Sequence, residues 1–523
     1  MDIGLPLANA RCPVTLSTLE IEPECQSLVE VFAQFVTRVQ TRRQAAAADG
    51  ESLDYGTIEK EFAEQAAALE RQAHAIVLQA LDVDAPQVNV DGQAYRRVLR
   101  CPGTYYTMVG AVRVPRTLYR KVGERTGATV DAISLRAGVV GKGWLPRTAS
   151  AMAWECQRAP SREAQKASEQ WLRLPYSRSA FRSVAHRVAE QYGQKREAVE
   201  RLLIETLQIP EQAHSVSISM DRVSIPMEEP RPLLIPASQS LAEDSVDNVQ
   251  VQQTATEWAP SEVKKKDPKR PIQRVFRQAY VATVTLHDPK GKALHTIRYG
   301  RMPLGDIDGL CTALADDVMT LLWRCPTLLV VLLCDGAKEL WNRLGAEFTE
   351  SGLGKPVYRL VDLWHLLEKL GSAARVLYGE PDRAAVLRKW RLDLLNNDQA
   401  VQQILATLQT SGQEQVRIGD NRPVHEAVTY LQNHVDDMKY AQARRLGLPV
   451  GSGIVEAACK SLYQVRFKRP GCRWKEQTGA HIVELRALAL SNRFDQALAY
   501  ALAPLRHPVK PALAPLAALS CAT

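Results

Sequence analysis

The sequence predicts a mixed α/β protein in which a helical and small-β region precedes the α/β part. Two segments carry this prediction. SVSISMD (215–221) alternates apolar and polar residues as a β-strand does, and LLVVLLC (328–334) is the continuous apolar run of a strand covered on both faces. The chain has 523 residues, of which 46% are hydrophobic and 24% charged. This length and balance indicate a globular protein of several domains.

Residues 1–85 form the first predicted region. Residues 1–22 show no regular pattern, whereas from Pro23 to Asp82 apolar residues recur at helical spacing. We interpret this stretch as a helical bundle segment that packs on itself, with a dimerising helix as the alternative.

Residues 86–147 are predicted to be a small β-rich region. Val, Tyr and Thr are frequent up to residue 120, and Asp91-Gly92 and Pro102-Gly103 interrupt the pattern. This predicts two or three short antiparallel strands. Basic residues are frequent between Arg96 and Lys121, where they could contact a DNA backbone or protect an exposed sheet edge.

Residues 148–207 are predicted to be a DNA-binding region that resembles a helix-turn-helix. A first helix covers about 161–171, and a second begins at Ser177 or Ser179, either of which can cap it. The second helix is basic, as in helices that enter the major groove, although such helix pairs also occur without DNA. Its candidate DNA contacts are Arg178, Arg182 and Arg187.

The α/β part begins at residue 208. Its predicted order is three strands, a helix, a strand, a helix, a strand, a helical stretch and a final helix after the turn PVGSG. The segments are a first core part (208–365) with a mobile polar insertion (237–272), a helical insertion (366–446), a last core part with one helix and a basic segment (447–502), and a disordered tail (503–523).

Three acidic residues occupy distinctive places in this order. Asp221 is expected to close the first strand, Asp335 closes the apolar run, and Glu456 lies in the first turn of the final helix. The carboxyl ends of strands are where α/β folds place their sites. Phosphodiester cleavage can use two Mg²⁺ ions, and Mg²⁺ needs carboxylate oxygens that converge from separate elements. The three residues are therefore candidate catalytic and metal-binding residues for two Mg²⁺ or Mn²⁺ ions.

Four blocks of the sequence resemble the signature blocks of a known family. ISMDRVSIPM, LLCDGAKELW, VDLWHLLEKL and GSGIVEAACKSLYQVRFKRPGCRW are similar to those of bacterial insertion-sequence DDE transposases of the ISKra type, which are related to the Mutator superfamily. The resemblance covers about residues 215–493. It implies an RNase H-like catalytic core interrupted by the helical insertion, with Asp221, Asp335 and Glu456 as the metal-binding triad.

The block DLWH contains a further candidate pair, which resembles the Mutator group's [CD]-x-x-H motif. His365 could contact the scissile strand, stabilise the site near Asp335, or fix the insertion helix. Asp362 could be an additional metal ligand or the N-cap of the helix that follows.

The segment 460–475 contains basic and aromatic residues but no acidic residue. Basic side chains can bind phosphates, and aromatic rings can stack on unpaired bases; the alternative is a solvated basic face. The candidate DNA contacts here are Lys460, Arg466, Lys468, Arg469, Arg473 and Trp474.

These features favour a DNA transposase that binds the ends of an insertion sequence and a target double-stranded DNA, as a homodimer or higher homo-oligomer. An RNase H-like nuclease or resolvase, or a transposase-derived DNA-binding protein, is the alternative. The net charge of +8 is compatible with a polyanionic partner. No signal peptide, membrane span or C-x-x-C pair is visible, so a cytoplasmic, nucleoid-associated protein is expected.

Overall fold

The computed structural model describes residues 21–48, 52–231 and 271–512. Most of the irregular segment 1–22, nearly all of the predicted insertion 237–272 and the end of the predicted tail lie outside the described residues. The chain divides into two compact units, Met1–Tyr192 with Leu498–Thr523, and Gly193–Ala497.

The first unit combines helices with a five-stranded sheet in the order β10-β1-β2-β3-β4. Its elements, with β10 from the C-terminal part, are α1 (Gln26–Ala48), α2 (Tyr55–Ala80), β1 (Gln87–Val90), β2 (Gln93–Thr107), β3 (Gly110–Lys121), β4 (Val130–Asp131), α3 (Ala132–Ala137), α4 (Pro146–Arg158), α5 (Ser161–Gln170), α6 (Arg178–Gly193) and β10 (Val509–Pro511).

Helices α1 and α2 pack as an antiparallel pair. Phe35 meets Phe62 edge to face at 6.0 Å between ring centroids, and Arg42 pairs with Glu61. The segment therefore packs on itself, as the preferred interpretation of the sequence holds.

The antiparallel strands β1, β2 and β3 occupy the predicted β-rich region, and Asp91-Gly92 forms the turn between the first two. The predicted break at Pro102-Gly103 is wrong, because β2 continues through it and Gly103 pairs with Val114. A Cβ at Gly103 would lie 2.5 Å from the Arg116 side chain, so glycine here makes room for a neighbouring side chain rather than ending a strand.

The prediction that the chain is disordered from residue 503 is wrong for its described part. Residues Ala503–Leu505 form a 3₁₀ turn, and β10 pairs antiparallel with β1 through Val509 and Val90. The prolines are tolerated because β10 lies at the edge of the sheet, where one side of the strand needs no hydrogen-bond donors.

The helix pair at 161–193 forms as predicted, and the Ser177 hydroxyl accepts a 3.3 Å hydrogen bond from the Ala180 N–H at the start of α6. Residues 171–177 connect the two helices. This connection is longer than the three or four residues of a compact helix-turn-helix turn. The DNA-reading geometry therefore remains a prediction.

The second unit contains the α/β part, and helix α18 ends beyond its boundary. The elements are α7 (Arg196–Glu205), β5 (Ser215–Pro230), β6 (Ile272–His287), β7 (Ala293–Arg301), α8 (Ile307–Arg324), β8 (Leu329–Cys334), α9 (Lys338–Glu347), α10 (Glu350–Leu353), β9 (Val357–Val361), α11 (Leu363–Asn396), α12 (Ala400–Thr410), α13 (Pro423–His434), α14 (Tyr440–Arg445), α15 (Gly453–Cys459), α16 (Val465–Phe467), α17 (Glu476–Leu490) and α18 (Phe494–Leu502).

The sheet of this unit has the order β7-β6-β5-β8-β9. Strands β5, β6 and β7 are antiparallel, whereas β5, β8 and β9 run parallel to one another. The predicted mixed α/β class and the element order up to β9 are confirmed, and the arrangement is compatible with an RNase H-like core. The prediction of one final helix after PVGSG is wrong, because the chain turns at Pro470-Gly471 and forms the separate helices α15 to α18. Helices α11–α14 follow β9, as the helical pattern predicts.

Strand β5 is central and buried on both faces. Ser215, Ser217 and Ser219 are as inaccessible as the apolar residues that alternate with them. The alternation therefore predicted the strand correctly. The side of the strand that carries the serines does not face solvent, however, because helices cover both faces. No helix within the described residues has the length and apolar character needed to cross a membrane.

Candidate active site

Three neighbouring parallel strands bring aspartates to one edge of the sheet. Ile218 of β5 pairs with Leu332 of β8, so the register places Asp221 beside Asp335, each three residues further on. Cys334 of β8 pairs with Val361 of β9, which places Asp335 beside Asp362. Neighbouring strands lie about 4.8 Å apart, so these carboxylates share one small region.

Asp221 does not close its strand as predicted, because β5 continues to Pro230. It lies instead just beyond the paired stretch of β5 and β8, after which the strand pairs with β6 alone. Its Oδ1 accepts a 2.6 Å hydrogen bond from the Arg222 N–H, and its Oδ2 accepts one from the Cys459 thiol at 3.3 Å. Burial, together with Asp221, raises the pKa of Cys459, so the thiol stays a protonated donor.

Asp335 follows β8, and its conformation is set by the turn after it. Its Oδ1 accepts a 2.9 Å hydrogen bond from the Ala337 N–H. The Tyr430 hydroxyl of α13 donates to the Asp335 carbonyl at 2.8 Å. Gly336 has φ +95°, and a Cβ there would lie 3.0 Å from the Tyr430 hydroxyl, so both backbone and space require glycine. A helix of the predicted insertion therefore supports this aspartate.

Glu456 lies in α15, which packs against β5 and β6 through its apolar residues. Val455, Ala458 and Cys459 are buried, while the Glu456 side chain is 41% exposed. This helix places a solvent-accessible carboxylate above the strand that carries Asp221.

Asp362 is fully buried and fastens two segments together. Its Oδ1 accepts hydrogen bonds from the N–H groups of Trp364 at 2.5 Å and His365 at 3.0 Å, and its Oδ2 accepts one from the Ser452 N–H. Burial alone would raise the pKa of Asp362, but the hydrogen bonds from His365 and Ser452 lower it below its usual value. The N-cap interpretation is confirmed, and the same carboxylate also anchors the loop that precedes Glu456.

His365 lies between Asp362 and Glu456. Its Nδ1 is 3.6 Å from the Asp362 Oδ1 and 3.9 Å from the Glu456 Oε1. The neighbouring Asp362 raises the pKa of His365 to about 9 against the effect of burial, and Glu456 and Asp335 act in the same direction. The structure thus places His365 beside Glu456 in the first turn of α11, and its predicted roles stay predictions.

Among the described residues, the compact metal-ligand cluster is not the predicted triad but Asp362, His365 and Glu456, whose ligand atoms all lie within 4.8 Å of one another. Asp221, Asp335 and Glu456 do not form a cluster of that compactness among the described residues. The hard oxygen donors of the three residues suit Mg²⁺.

The basic segment after Glu456 is partly structural. A π-helical segment, Lys460–Gln464, follows α15 and leads into α16. Arg466 is only 5% exposed, and its guanidinium lies 4.9 Å from the centre of the Trp474 ring. Its assignment to an exposed DNA track is therefore wrong, because the charge is used in packing.

Trp474 is also held by the fold. Its ring stacks on Phe467 at 4.2 Å, and its Nε1 donates to the Phe467 carbonyl at 3.2 Å. Its backbone bonds to Pro226 and Glu228 of β5, with distances of 3.1 and 2.8 Å. The predicted stacking on a DNA base would require this packing to break, so the alternative of a core residue fits better.

The remaining predicted DNA contacts differ in exposure. Lys460, Lys468 and Arg473 are exposed and Arg469 is partly exposed. In the first unit, the three arginines of α6 all face solvent, and Arg187 lies 3.3 Å from Glu190: these are Arg178, Arg182 and Arg187.

The contacts made by Cys459, Tyr430 and Ser452 were not predicted from the sequence. Cys459 lies three residues after Glu456 on the same helix, which was a usable signal. Tyr430 and Ser452 reach the site only through tertiary packing, so no local pattern marks them.

Comparisons with known proteins leave the family open. No family model matches the chain, and no curated protein matches it. One solved structure, described as the Drosophila P element transposase strand transfer complex, is similar over 67% of this chain and 92% of that chain, with 13% identity and a TM-score of 0.33. A likeness this weak supports no functional argument, so the case for function depends on the site itself, and the ISKra-type resemblance remains a hypothesis.

Proposed function

We propose that this protein is a DNA transposase whose catalytic centre contains Asp221, Asp335 and Glu456. One observation carries the proposal: the register of β5, β8 and β9 brings separate aspartates to one sheet edge, and α15 places Glu456 over β5, the strand that carries Asp221. Carboxylates that converge from separate elements are what a divalent-metal phosphodiester enzyme requires.

Asp221, Asp335 and Glu456 would hold two Mg²⁺ or Mn²⁺ ions. Bound there, such ions stabilise the attacking and leaving oxygens of an in-line displacement. The protein's own part is to hold these oxygens in place. The Cys459 thiol and the Arg222 N–H orient Asp221, the Ala337 N–H orients Asp335, and Asp362 fastens the loop before Glu456.

The proposed reaction has two displacements. Water first attacks the phosphorus at the element end, and the broken bond leaves a free 3′-OH. That hydroxyl then attacks a phosphodiester of the target DNA, which joins the element to the target and releases another 3′-OH. A nuclease or resolvase would carry out only the first displacement, and a DNA-binding descendant neither.

The test uses Asp221→Asn, Asp335→Asn and Glu456→Gln in the full chain. We expect each to lower cleavage of element-end DNA by about a thousandfold or more, because ligands of one metal site act as a unit. End binding should stay within a few fold. Asp382→Asn, which removes an exposed carboxylate of α11, is the matched control.

Each outcome has a distinct meaning. Near-normal cleavage by one variant would remove that residue from the centre. Cleavage without joining of a pre-cut end to target DNA would favour the nuclease or resolvase, and full-length protein that binds but never cuts would favour the DNA-binding descendant.

We also propose that the exposed arginines of α6 bind element-end DNA. The triple variant Arg178→Ala/Arg182→Ala/Arg187→Ala should bind end DNA about tenfold more weakly or worse, because one good base contact contributes about 1–3 kcal/mol. The full chain is needed, since a fragment ending near residue 207 would lack β10. Arg38→Ala/Arg43→Ala/Arg125→Ala removes the same charge from other exposed positions of the first unit and should bind normally. Equal losses in both triple variants would contradict this.

A further inference from the structure

The imidazole of His365 presents an unsatisfied nitrogen to two carboxylates. The Nδ1 atom is buried and has no hydrogen-bond partner among the residues that the structure describes. Its two nearest carboxylate oxygens are at 3.6 Å on Asp362 and 3.9 Å on Glu456, which are too far for hydrogen bonds. Buried polar atoms are nearly always satisfied in native proteins, so this nitrogen, which faces two carboxylates, is free to take a further partner such as an ion.

The separation of Nδ1 and the Glu456 carboxylate allows both to bind one ion. Ligand atoms about 2.1 Å from one metal ion are about 3.0 Å apart when adjacent in an octahedron and about 4.2 Å apart when opposite. The 3.9 Å between Nδ1 and the Glu456 Oε1 lies inside this range. An ion could therefore be bound with only small side-chain movements.

Asp362 is a poor candidate for a direct ligand. Its Oδ1 already accepts two backbone hydrogen bonds, and its Oδ2 accepts one. A carboxylate oxygen has about two lone-pair sites, so little capacity remains. Asp362 instead holds the backbone of His365 and the loop before Glu456, which orients the His365 imidazole and the Glu456 carboxylate.

We propose that His365 supplies a nitrogen ligand, beside Glu456, to one of the two divalent ions. This inference rests on the proposed function and adds a nitrogen to a site otherwise made of oxygen. Asp335 lies beside Asp362 in the register of β8 and β9 and offers a further oxygen donor. Nitrogen ligation disfavours Mg²⁺ and Ca²⁺, which prefer oxygen, and favours Mn²⁺ and other transition ions.

The direct test is pulsed electron paramagnetic resonance of Mn²⁺ bound to the full-length protein. A histidine ligand gives a nitrogen coupling to the Mn²⁺ electron spin, and histidine labelled with ¹⁵N changes that coupling in a defined way. We expect the coupling in the wild-type protein and its loss in His365→Ala, with Mn²⁺ affinity reduced by about tenfold or more. His365→Asn, which keeps a polar side chain at the helix start, is the second variant in case the alanine variant folds poorly.

His434→Ala is the matched control, because the His434 Nε2 also lies near this turn, 3.2 Å from where a Gly336 Cβ would be. The control should keep the nitrogen coupling. Coupling that persists in both His365 variants, or disappears in His434→Ala instead, would overturn the proposal.

The variant Asp335→Asn distinguishes a failure of the His365 proposal from a failure of the proposed function on which it rests. One outcome would be that the wild-type protein binds Mn²⁺ without a histidine coupling and that Asp335→Asn no longer binds it. This outcome would overturn the role of His365 and leave the transposase proposal standing. The absence of any Mn²⁺ binding that depends on Asp335 would overturn both.

Discussion

The positions of the two aspartates at the sheet edge followed from the sequence pattern, whereas the exposure of the side chains in the basic segment after Glu456 did not. At the sheet edge, the predicted Asp221 and Asp335 lie side by side because the parallel register of β5 and β8 fixes which of their residues are neighbours. In the basic segment, residues of one charge divide between surface and interior, with Lys468 exposed and Arg466 buried. Topology constrains position strongly, whereas charge alone does not decide which way a side chain faces.

The strongest test of this comparison is the stability of Asp362 variants. Asp362→Ala should lower the free energy of unfolding by about 3 kcal/mol or more, because the backbone N–H groups of Trp364, His365 and Ser452 lose their acceptor. Asp335→Ala, at the end of the neighbouring strand, should cost about 1 kcal/mol or less, since it removes only one side-chain hydrogen bond. Urea unfolding followed by circular dichroism measures both.

Similar losses of unfolding free energy in Asp362→Ala and Asp335→Ala would show that the two aspartates stabilise the fold equally. In that case the distinction between an anchoring aspartate and a metal-binding one would fail.

The next effect concerns Trp474. Trp474→Ala should lower stability by about 2–3 kcal/mol, because the variant lacks the stacking on Phe467 and the packing against the Arg466 guanidinium. Lys468→Ala, from the same segment but exposed, should change stability by less than about 0.5 kcal/mol. Melting temperatures test the pair, and an unchanged melting temperature for Trp474→Ala would restore its candidacy as a base-stacking residue.

The smallest effect on the fold should come from the exposed cations. Lys460→Ala/Lys468→Ala/Arg473→Ala should leave the melting temperature nearly unchanged but flatten the salt dependence of DNA binding, by about 0.9 log units for each phosphate that the variant no longer neutralises. Sequence preference should survive, because phosphate contacts position DNA without specifying its sequence. A folded triple variant with an unchanged salt slope would leave the segment without a role in DNA binding.

The sequence predicts most of the α/β order because each strand there has a strong local signal. The apolar run before Asp335 defined both the strand and its end, and the turn PVGSG located the helix of Glu456. The boundary at Asp221 was wrong because β5 continues as a hairpin with β6, and that pairing depends on residues about 50 positions away. The same limit applied to Asp362, whose bond to Ser452 spans 90 residues.

In the first unit, a pair of residues that is typical of turns does not always form a turn. Asp91-Gly92 forms a turn, while Pro102-Gly103 continues a strand, because the glycine there leaves room for the Arg116 side chain. The pairing of β10 with β1 had no sequence signal, since the prolines around it favoured an unfolded tail.

The π-helical segment Lys460–Gln464 makes the fold sensitive to the deletion of a single residue. A π turn holds one residue more than an α turn, so it shifts the phase of everything after it by about 100°. A chain shortened by one residue within this segment could form a regular α-helix from Gly453 onward. Positions 465–467 would then rotate by about 100° around the helix, which would move Arg466 out of its packed position and leave Trp474 without its partner. A single-residue deletion here would thus be far more disruptive than any single substitution among the exposed lysines.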